Sequence, residues 1–224
     1  MYCYVPALRY SPRPAVGWIR RTFFESNFRY HPTQQGVLWT RTRSASFRVE
    51  LENGDNVAVG HEDAYERLFS PFPIRADQPI PSGRYSFGRH GVELTTFSGR
   101  PLQGSLSWNA GEFYDGRRTD LEARAVWRFN RHFSIAPGLT RSDVALPRGA
   151  FTTTILSTRA TYTVTPNMSV NTLVQWDNDS RLAVANLRFN YIPKPGTDFY
   201  VVYTEANQAL GRLVPRNRSL IAKL

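Results

Sequence analysis

Apolar and polar residues alternate with a period of two along Arg118–Glu205. In Arg118–Asn130 the odd positions are Thr119, Leu121, Ala123, Ala125, Trp127 and Phe129. The even positions are Arg118, Asp120, Glu122, Arg124, Val126, Arg128 and Asn130. Successive side chains of a strand point to opposite faces, so this segment reads as a strand with one apolar and one charged side. A helix would run its apolar stripe through Arg124 and Arg128. The pattern returns in Phe133–Thr140, Leu156–Val164, Met168–Asp177, Ala183–Tyr191 and Phe199–Thr204. Upstream it predicts strands over Tyr2–Tyr10, Thr22–His31, a long run ending at Glu52, Asn56–His61, Gly83–Phe97 and Gly104–Tyr114. Ser219–Leu224 closes the series, about thirteen strands in all.

The turns narrow the reading. Asn130–His132, Thr165–Asn167 and Pro193–Gly196 are tight, whereas Asp143–Ala150, Asn178–Arg181 and Ala206–Ser219 are longer or more polar. Asn53-Gly54 offers the positive φ that a tight hairpin needs. On the apolar parity, Trp127, Phe129, Phe133, Tyr162, Tyr191 and Phe199 crowd the tight-turn end. A membrane interface selects such a row, because the rings sit at headgroup depth. The expected fold is all-β, an antiparallel up-and-down transmembrane β-barrel. Its lumen would be lined by Arg48, Glu50, Glu93, Glu122, Arg124, Arg128, Arg159, Asn171, Gln175, Asn186 and Arg188. Those residues fit either a closed lumen filled by its own ion pairs or a passage for polar solute. Interleaving of both signs favours the closed form.

Glu62–Ser82 breaks the pattern with Pro71, Pro73, Pro79 and Pro81 among Phe69, Phe72 and Ile74. It reads either as a loop folded over or into the barrel mouth, or as an ordinary surface loop with an edge segment.

Mean hydropathy of −0.41 looks soluble, but only alternate residues of a barrel face lipid and the average hides them. No run approaches the ~18 apolar residues of a membrane helix. No signal peptide opens the chain. Bacterial single-chain barrels close with an even number of strands. The odd count and the missing leader together give the expectation of a fragment of a larger barrel.

The net charge of +10, nearly all from arginine, invites a nucleic-acid reading. The arginines are spread along the chain and share faces with acids, as in Arg48/Glu50/Glu52 and Asp120/Glu122/Arg124. That pattern fits internal ion pairs better than a phosphate-binding stripe, so no nucleic-acid partner is expected. Outer-membrane lipid and lipopolysaccharide are the expected partners, with arginines reaching the anionic lipopolysaccharide.

Little else carries chemistry. Glu112 and Asp115 are the best carboxylate pair for a glycosidase, but they sit at a strand end and in an Asp-Gly turn. Asp177-Asn-Asp-Ser180 offers oxygen ligands for Ca²⁺ without the rest of an EF-hand. His31, His61, His90 and His132 share no metal-site spacing, and the lone Cys3 excludes an internal disulfide. No enzyme activity, cofactor or metal is expected.

Several segments together resemble a known family. They are Leu51-Glu-Asn-Gly-Asp55, Tyr65-Glu-Arg-Leu68 with Pro71-Phe72, Ile80-Pro-Ser-Gly-Arg-Tyr-Ser-Phe87, Gly111-Glu-Phe-Tyr-Asp-Gly116 and Asp143-Val-Ala-Leu-Pro147. Leu173-Val-Gln-Trp176, Asn186-Leu-Arg-Phe189 and Pro195-Gly-Thr-Asp-Phe-Tyr-Val-Val-Tyr203 complete the set. In this order they are similar to the C-terminal barrel region of a bacterial domain-of-unknown-function family. Its members carry an N-terminal family-9-like carbohydrate-binding domain. The resemblance implies an outer-membrane barrel with a glycan-related role, and it transfers no catalytic residue. The alternative is a soluble all-β carbohydrate-binding or carbohydrate-active domain, in which a second sheet covers the apolar parity.

Overall fold

The computed structural model describes residues 3–75, 78–194, 196–209 and 213–224. Its strands are β1 (Ala7–Tyr10), β2 (Ile19–Pro32), β3 (Leu38–Leu51), β4 (Asn56–Leu68), β5 (Phe72–Arg75), β6 (Gln78–Ile80), β7 (Gly83–Thr95) and β8 (Leu102–Phe113). They continue as β9 (Gly116–Arg128), β10 (Phe133–Leu146), β11 (Gly149–Thr165), β12 (Met168–Asp177), β13 (Leu182–Lys194), β14 (Thr197–Ala209) and β15 (Leu213–Lys223). No helix occurs among the described residues. Thirteen strands form one antiparallel up-and-down sheet in chain order, and β5 and β6 form a separate hairpin between β4 and β7. The sheet runs from β1 to β15, and these two edges do not pair with each other among the described residues.

The chain divides into two compact units. One comprises Met1–Phe97, Leu106–Leu121 and Ser142–Phe151, and the other Ser98–Ser105, Glu122–Arg141 and Thr152–Leu224. In the second unit the registers join like with like. Tyr162, Val170, Phe189 and Val201 form one cross-strand row, and Ala160, Thr172, Leu187 and Tyr203 form the next. Between them, on the opposite face, runs the row Thr161, Asn171, Arg188 and Val202. A one-residue slip would exchange the faces, so this agreement fixes the register. In the first unit Phe24, Phe47, Val59 and Val92 make an apolar row, and Arg48, Ala58 and Glu93 a row of the polar face.

Among the described residues no second layer covers the apolar face. Val174 is 46% exposed, Trp127 47% and Leu187 44%, and Leu121 and Phe189 are only half-buried. Among the described residues the buried apolar side chains are Phe23, Ile80 and Val144, and none of them lies on the apolar parity. Phe23 pairs with Arg48, Ile80 belongs to the β5–β6 hairpin, and Val144 shares the parity of Ser142, whose hydroxyl meets Asp120.

Three sequence expectations need correction. Glu62–Leu68, expected in the proline-rich loop, continue β4, which pairs with β7 in unbroken register from Asn56↔Thr95 to Leu68↔Gly83. Asp143–Ala150, expected as a connection, are mostly strand: β10 reaches Leu146 and β11 starts at Gly149. The loop expected within Ala206–Ser219 shrinks in the same way, since β14 reaches Ala209 and β15 begins at Leu213. Residues 210–212 of that loop, and Pro195 of the Pro193–Gly196 turn, lie outside the described residues. The cause is common to all three. Past the apolar rows the alternation fails, with charges on both faces of Glu62–Arg67 and apolar neighbours in Val144-Ala145-Leu146 and Leu213-Val214, although the strands continue. Short turns therefore occur at both ends of the strands, and the long connection is the one that carries β5 and β6.

The Leu51–Asp55 turn forms as the sequence predicts, with a difference in detail. Gly54 alone of the Asn-Gly pair takes a positive φ, +84°. Its N–H donates to Leu51 O at 2.9 Å, and Leu51 N–H donates to Asp55 O at 2.8 Å. This is a type I turn followed by a left-handed residue.

Gly111 marks a close approach of backbones, since a Cβ there would overlap Gly88 O and Arg89 Cα. Gly111→Ala is expected to lower stability by about 3 kcal/mol, the scale of a forced overlap that neighbours cannot relieve. Equilibrium unfolding in urea measures it, and an unchanged midpoint contradicts the packing described here.

Candidate functional site on the polar face

In the first unit the polar face has a floor nearly without side chains. Ser46, Gly60 and Gly91 form one row. It is flanked by Arg48, Ala58 and Glu93 on one side and by Ser44, Glu62 and Arg89 on the other. These residues line a depression of about 410 Å³, with Ser107 and Asn109 at its edge. Arg89 is held from below: its guanidinium bonds Asp120, which also binds Arg118 Nε at 2.9 Å and accepts from the Ser142 hydroxyl. One carboxylate therefore gathers two arginines and a hydroxyl from three neighbouring elements.

Along the same face, next to Arg89, the polar parity becomes a packed interior. Tyr85 and Tyr114 meet edge to face at 5.1 Å between ring centroids, and Phe87 lies 5.3 Å from Tyr114. The Tyr114 hydroxyl donates to Glu66 Oε2 at 2.8 Å. Tyr114 occupies the left-handed region, φ 52°, which is strained for an aromatic residue and persists only where surroundings over-determine it. Above it folds the β5–β6 hairpin. Tyr85 hydroxyl donates to Pro81 O at 2.8 Å, Arg75 lies 4.7 Å over the Phe151 ring, and the Gln78 amide crowds Gly149. The hairpin thus leaves β4 and returns at β7, yet it touches β11, across the ends of three intervening strands.

In the second unit Arg159, Leu173 and Asn186 form one polar-face row, and Thr161, Asn171 and Arg188 the next. Asn186 donates to the Thr204 hydroxyl at 2.8 Å, Thr161 to Asn171 at 3.0 Å, and Arg188 lies 4.9 Å over the Tyr200 ring. Arg159, Asn171, Asn186, Asn190 and Arg188 line a depression of about 370 Å³ that has no carboxylate in its wall.

The expected lumen residues therefore fall on the polar parity, in different company. Glu50 pairs with Arg20 at 3.3 Å, and Glu122 with Arg124 at 2.7 Å. Arg128 clamps the β7–β8 turn through Ser98 O and Arg100 O at 3.3 and 3.2 Å. Gln175 pairs with Ser157 and Val184 across β11–β13. Arg48 and Glu93 flank Ala58 in the first unit. Mixed signs hold in the first unit and at Glu122–Arg124, whereas Arg159, Arg188 and their asparagines form a cationic patch. Among the expected interface aromatics, Trp127 stacks on Phe129 at 4.1 Å and Phe129 on Phe133 at 5.3 Å. Tyr191 pairs with Phe199, and Tyr162 lies in the neighbouring row with Val170, Phe189 and Val201.

The other candidates are accounted for locally. Glu112 Oε2 accepts from Gly88 N–H at 3.2 Å, Asp115 lies in the β8–β9 turn, and no hydrogen bond joins the two among the described residues. Asp177 is occupied by its own turn, accepting from Asp179 N–H and Ser180 hydroxyl at 2.8 Å each. Asn178 braces β11, accepting from Thr154 N–H at 2.6 Å and donating to Thr152 O at 2.9 Å. His31 meets Cys3 Sγ at 3.2 Å, and His132 reaches Thr163 O at 2.7 Å. His61 and His90, unrelated by spacing in the sequence, are cross-strand partners. Arg89, Asp120 and Tyr114 were not singled out from sequence. Asp120 and Arg89 carried the even and odd polar parity of their strands, but nothing local announced that they would meet.

No family model, curated protein or solved structure matches the chain.

Burial, and after it the hydrogen bond to the Glu66 carboxylate, push the Tyr114 phenol well above its ordinary range. A raised folded-state pKa stabilises below the ordinary tyrosine value of about 10, and that contribution is lost as pH rises through the folded value. Tyr114→Phe removes the bond to a partly exposed carboxylate and is expected to cost about 1 kcal/mol, with loss of the last-ionising tyrosine in a 295 nm alkaline titration. A titration unchanged by Tyr114→Phe contradicts this assignment.

Proposed function

We propose that this chain is a transmembrane β-barrel of the bacterial outer membrane, a non-enzymatic scaffold, receptor or narrow pore whose polar face lines the lumen. One observation carries the reading: most of the apolar parity is left uncovered, while the buried apolar side chains of the sheet, Phe23 and Val144, belong to the polar side. Soluble proteins rarely leave a continuous apolar face of this size to water, and a sandwich would cover it with a second sheet. Lipid resolves the difficulty, because each exposed Leu, Val or Phe transferred from water contributes about 1.5–3 kcal/mol. The stacked Trp127, Phe129 and Phe133 and the Tyr191–Phe199 pair support an interfacial belt. The reading requires the free edges of β1 and β15 to be paired in the membrane, with each other or with further strands, since lipid cannot satisfy an open edge.

In the first unit the apolar rows give way along the same face to Arg43/Asp63 and Arg41/Tyr65. That change fits the headgroup boundary, where arginines meet the phosphates of lipopolysaccharide. The packed interior around Asp120 and Tyr114 supports a closed or narrow lumen. The cationic Arg159/Arg188 depression supports a preference for anionic solute if the lumen conducts. The resemblance to the barrel region of a family with an appended carbohydrate-binding domain adds a glycan-linked role to the proposal.

Single-tryptophan variants test the orientation. With Trp127 retained and the other tryptophans replaced by Phe, fluorescence in bilayers of brominated phosphatidylcholine is expected to fall by about half or more, as for an interfacial ring in contact with lipid. A folded chain that stays monomeric in detergent-free buffer, with Trp127 unquenched by the vesicles, overturns the membrane reading in favour of a soluble all-β domain.

A further inference from the structure

His61 of β4 and His90 of β7 are directly opposite each other, on the parity of Val59 and Val92. Their rings lie 4.4 Å apart, and the two Nδ1 atoms face each other at 3.2 Å. The other nitrogen of His61, Nε2, lies 3.1 Å from Asp63 Oδ1. A carboxylate only accepts, so Nε2 carries the proton and Nδ1 of His61 presents a lone pair towards His90. This is the arrangement of a metal-binding imidazole, in which a carboxylate on the far nitrogen fixes the tautomer and raises ligand basicity. Two imidazole nitrogens ~2.0–2.1 Å from one tetrahedral zinc ion lie ~3.3 Å apart, close to the separation seen here.

Gly88 gives this pair its room. A Cβ there would lie 3.2 Å from His61 Cε1 and 3.3 Å from Asp63 Oδ1, tighter than ordinary contact. The surrounding open depression, about 530 Å³, is lined by His61, His90, Glu112, Arg117 and Thr119 among others. No set of three ligands is assembled among the described residues, so solvent would complete the coordination.

We propose that His61 and His90 chelate a first-row divalent cation of the Zn²⁺ and Cu²⁺ class through their Nδ1 atoms, with Asp63 as the positioning residue. Imidazole suits these ions, and Cu²⁺ binds most tightly in the series. Binding moves the proton that lies between the two Nδ1 atoms to Nε2 of His90, so that both imidazoles ligate as neutral Nε2–H tautomers. The proposal stands independently of the membrane reading, since it needs only the β4–β7 register.

The test uses the full chain in the Cys3→Ser background, folded in whichever of buffer or micelles holds it, titrated with ZnCl₂ by calorimetry and with CuCl₂ by electron paramagnetic resonance. The expected result is about one equivalent bound, with two-nitrogen hyperfine structure for copper. His61→Ala and His90→Ala each abolish it. Asp63→Asn weakens it about 10–100-fold, the usual cost of losing such an outer carboxylate, and His31→Ala and His132→Ala leave it unchanged. Circular dichroism and the urea midpoint confirm that each variant is folded. Undiminished binding by folded His90→Ala, loss of binding in His31→Ala or His132→Ala, or no binding by the parent chain overturns the proposal.

Discussion

A β-strand with one apolar and one charged edge must place both somewhere, and this sheet is built almost wholly of such strands. Hydrogen bonding lines up identical faces across the registers of β11–β14 and of β2, β3, β4 and β7, so the division becomes a property of each unit rather than of each strand. In water the apolar face would demand a partner layer, because its burial is the dominant favourable contribution to folding. The described residues supply none. The apolar side chains that the sheet does bury, Phe23 and Val144, lie on the opposite face. The inversion of the usual inside and outside is the constraint from which the membrane reading follows.

The polar side has its own order. In the first unit Asp120 ties Arg89, Arg118 and Ser142 together, and Tyr114 holds Glu66 from a strained backbone. Partly buried charges gain from such partners, since an unpaired one costs more than the pair contributes, and only Nε of Arg89 is left without one in this group. The β5–β6 hairpin completes that interior by reaching Gly149 and Phe151. In the second unit Arg159 and Arg188 lack a carboxylate in their depression, so the two depressions differ in kind: the one in the first unit is lined by both signs, the one in the second by cations alone.

Strand existence and face assignment were legible because period two is written directly in residues such as Leu121, Trp127, Val174 and Phe189. Strand ends were not. Glu62–Leu68 and Asp143–Leu146 stay in strands where polar and apolar residues no longer alternate, so the sequence offers no period to read. The β5–β6 hairpin was hidden by its prolines, which remove ladder donors without preventing a short pair such as Phe72↔Ile80. Site residues divided in the same way. Arg188 and Asn171 follow from parity, but His61 and His90, or Arg89 and Asp120, meet only through registers that no local pattern encodes.

Period-two solvent access along one strand tests the central claim most directly. Nitroxide labels placed singly at positions 169–176 of β12, in the Cys3→Ser background and reconstituted in phospholipid bilayers, report collision with dissolved oxygen and with a water-soluble nickel chelate. Labels at Val170, Thr172, Val174 and Trp176 should collide mainly with oxygen, and those at Ser169, Asn171, Leu173 and Gln175 mainly with nickel. Equal nickel access on both parities, or protection of the Val174 parity from both reagents, would place that face in water or beneath protein and contradict the account.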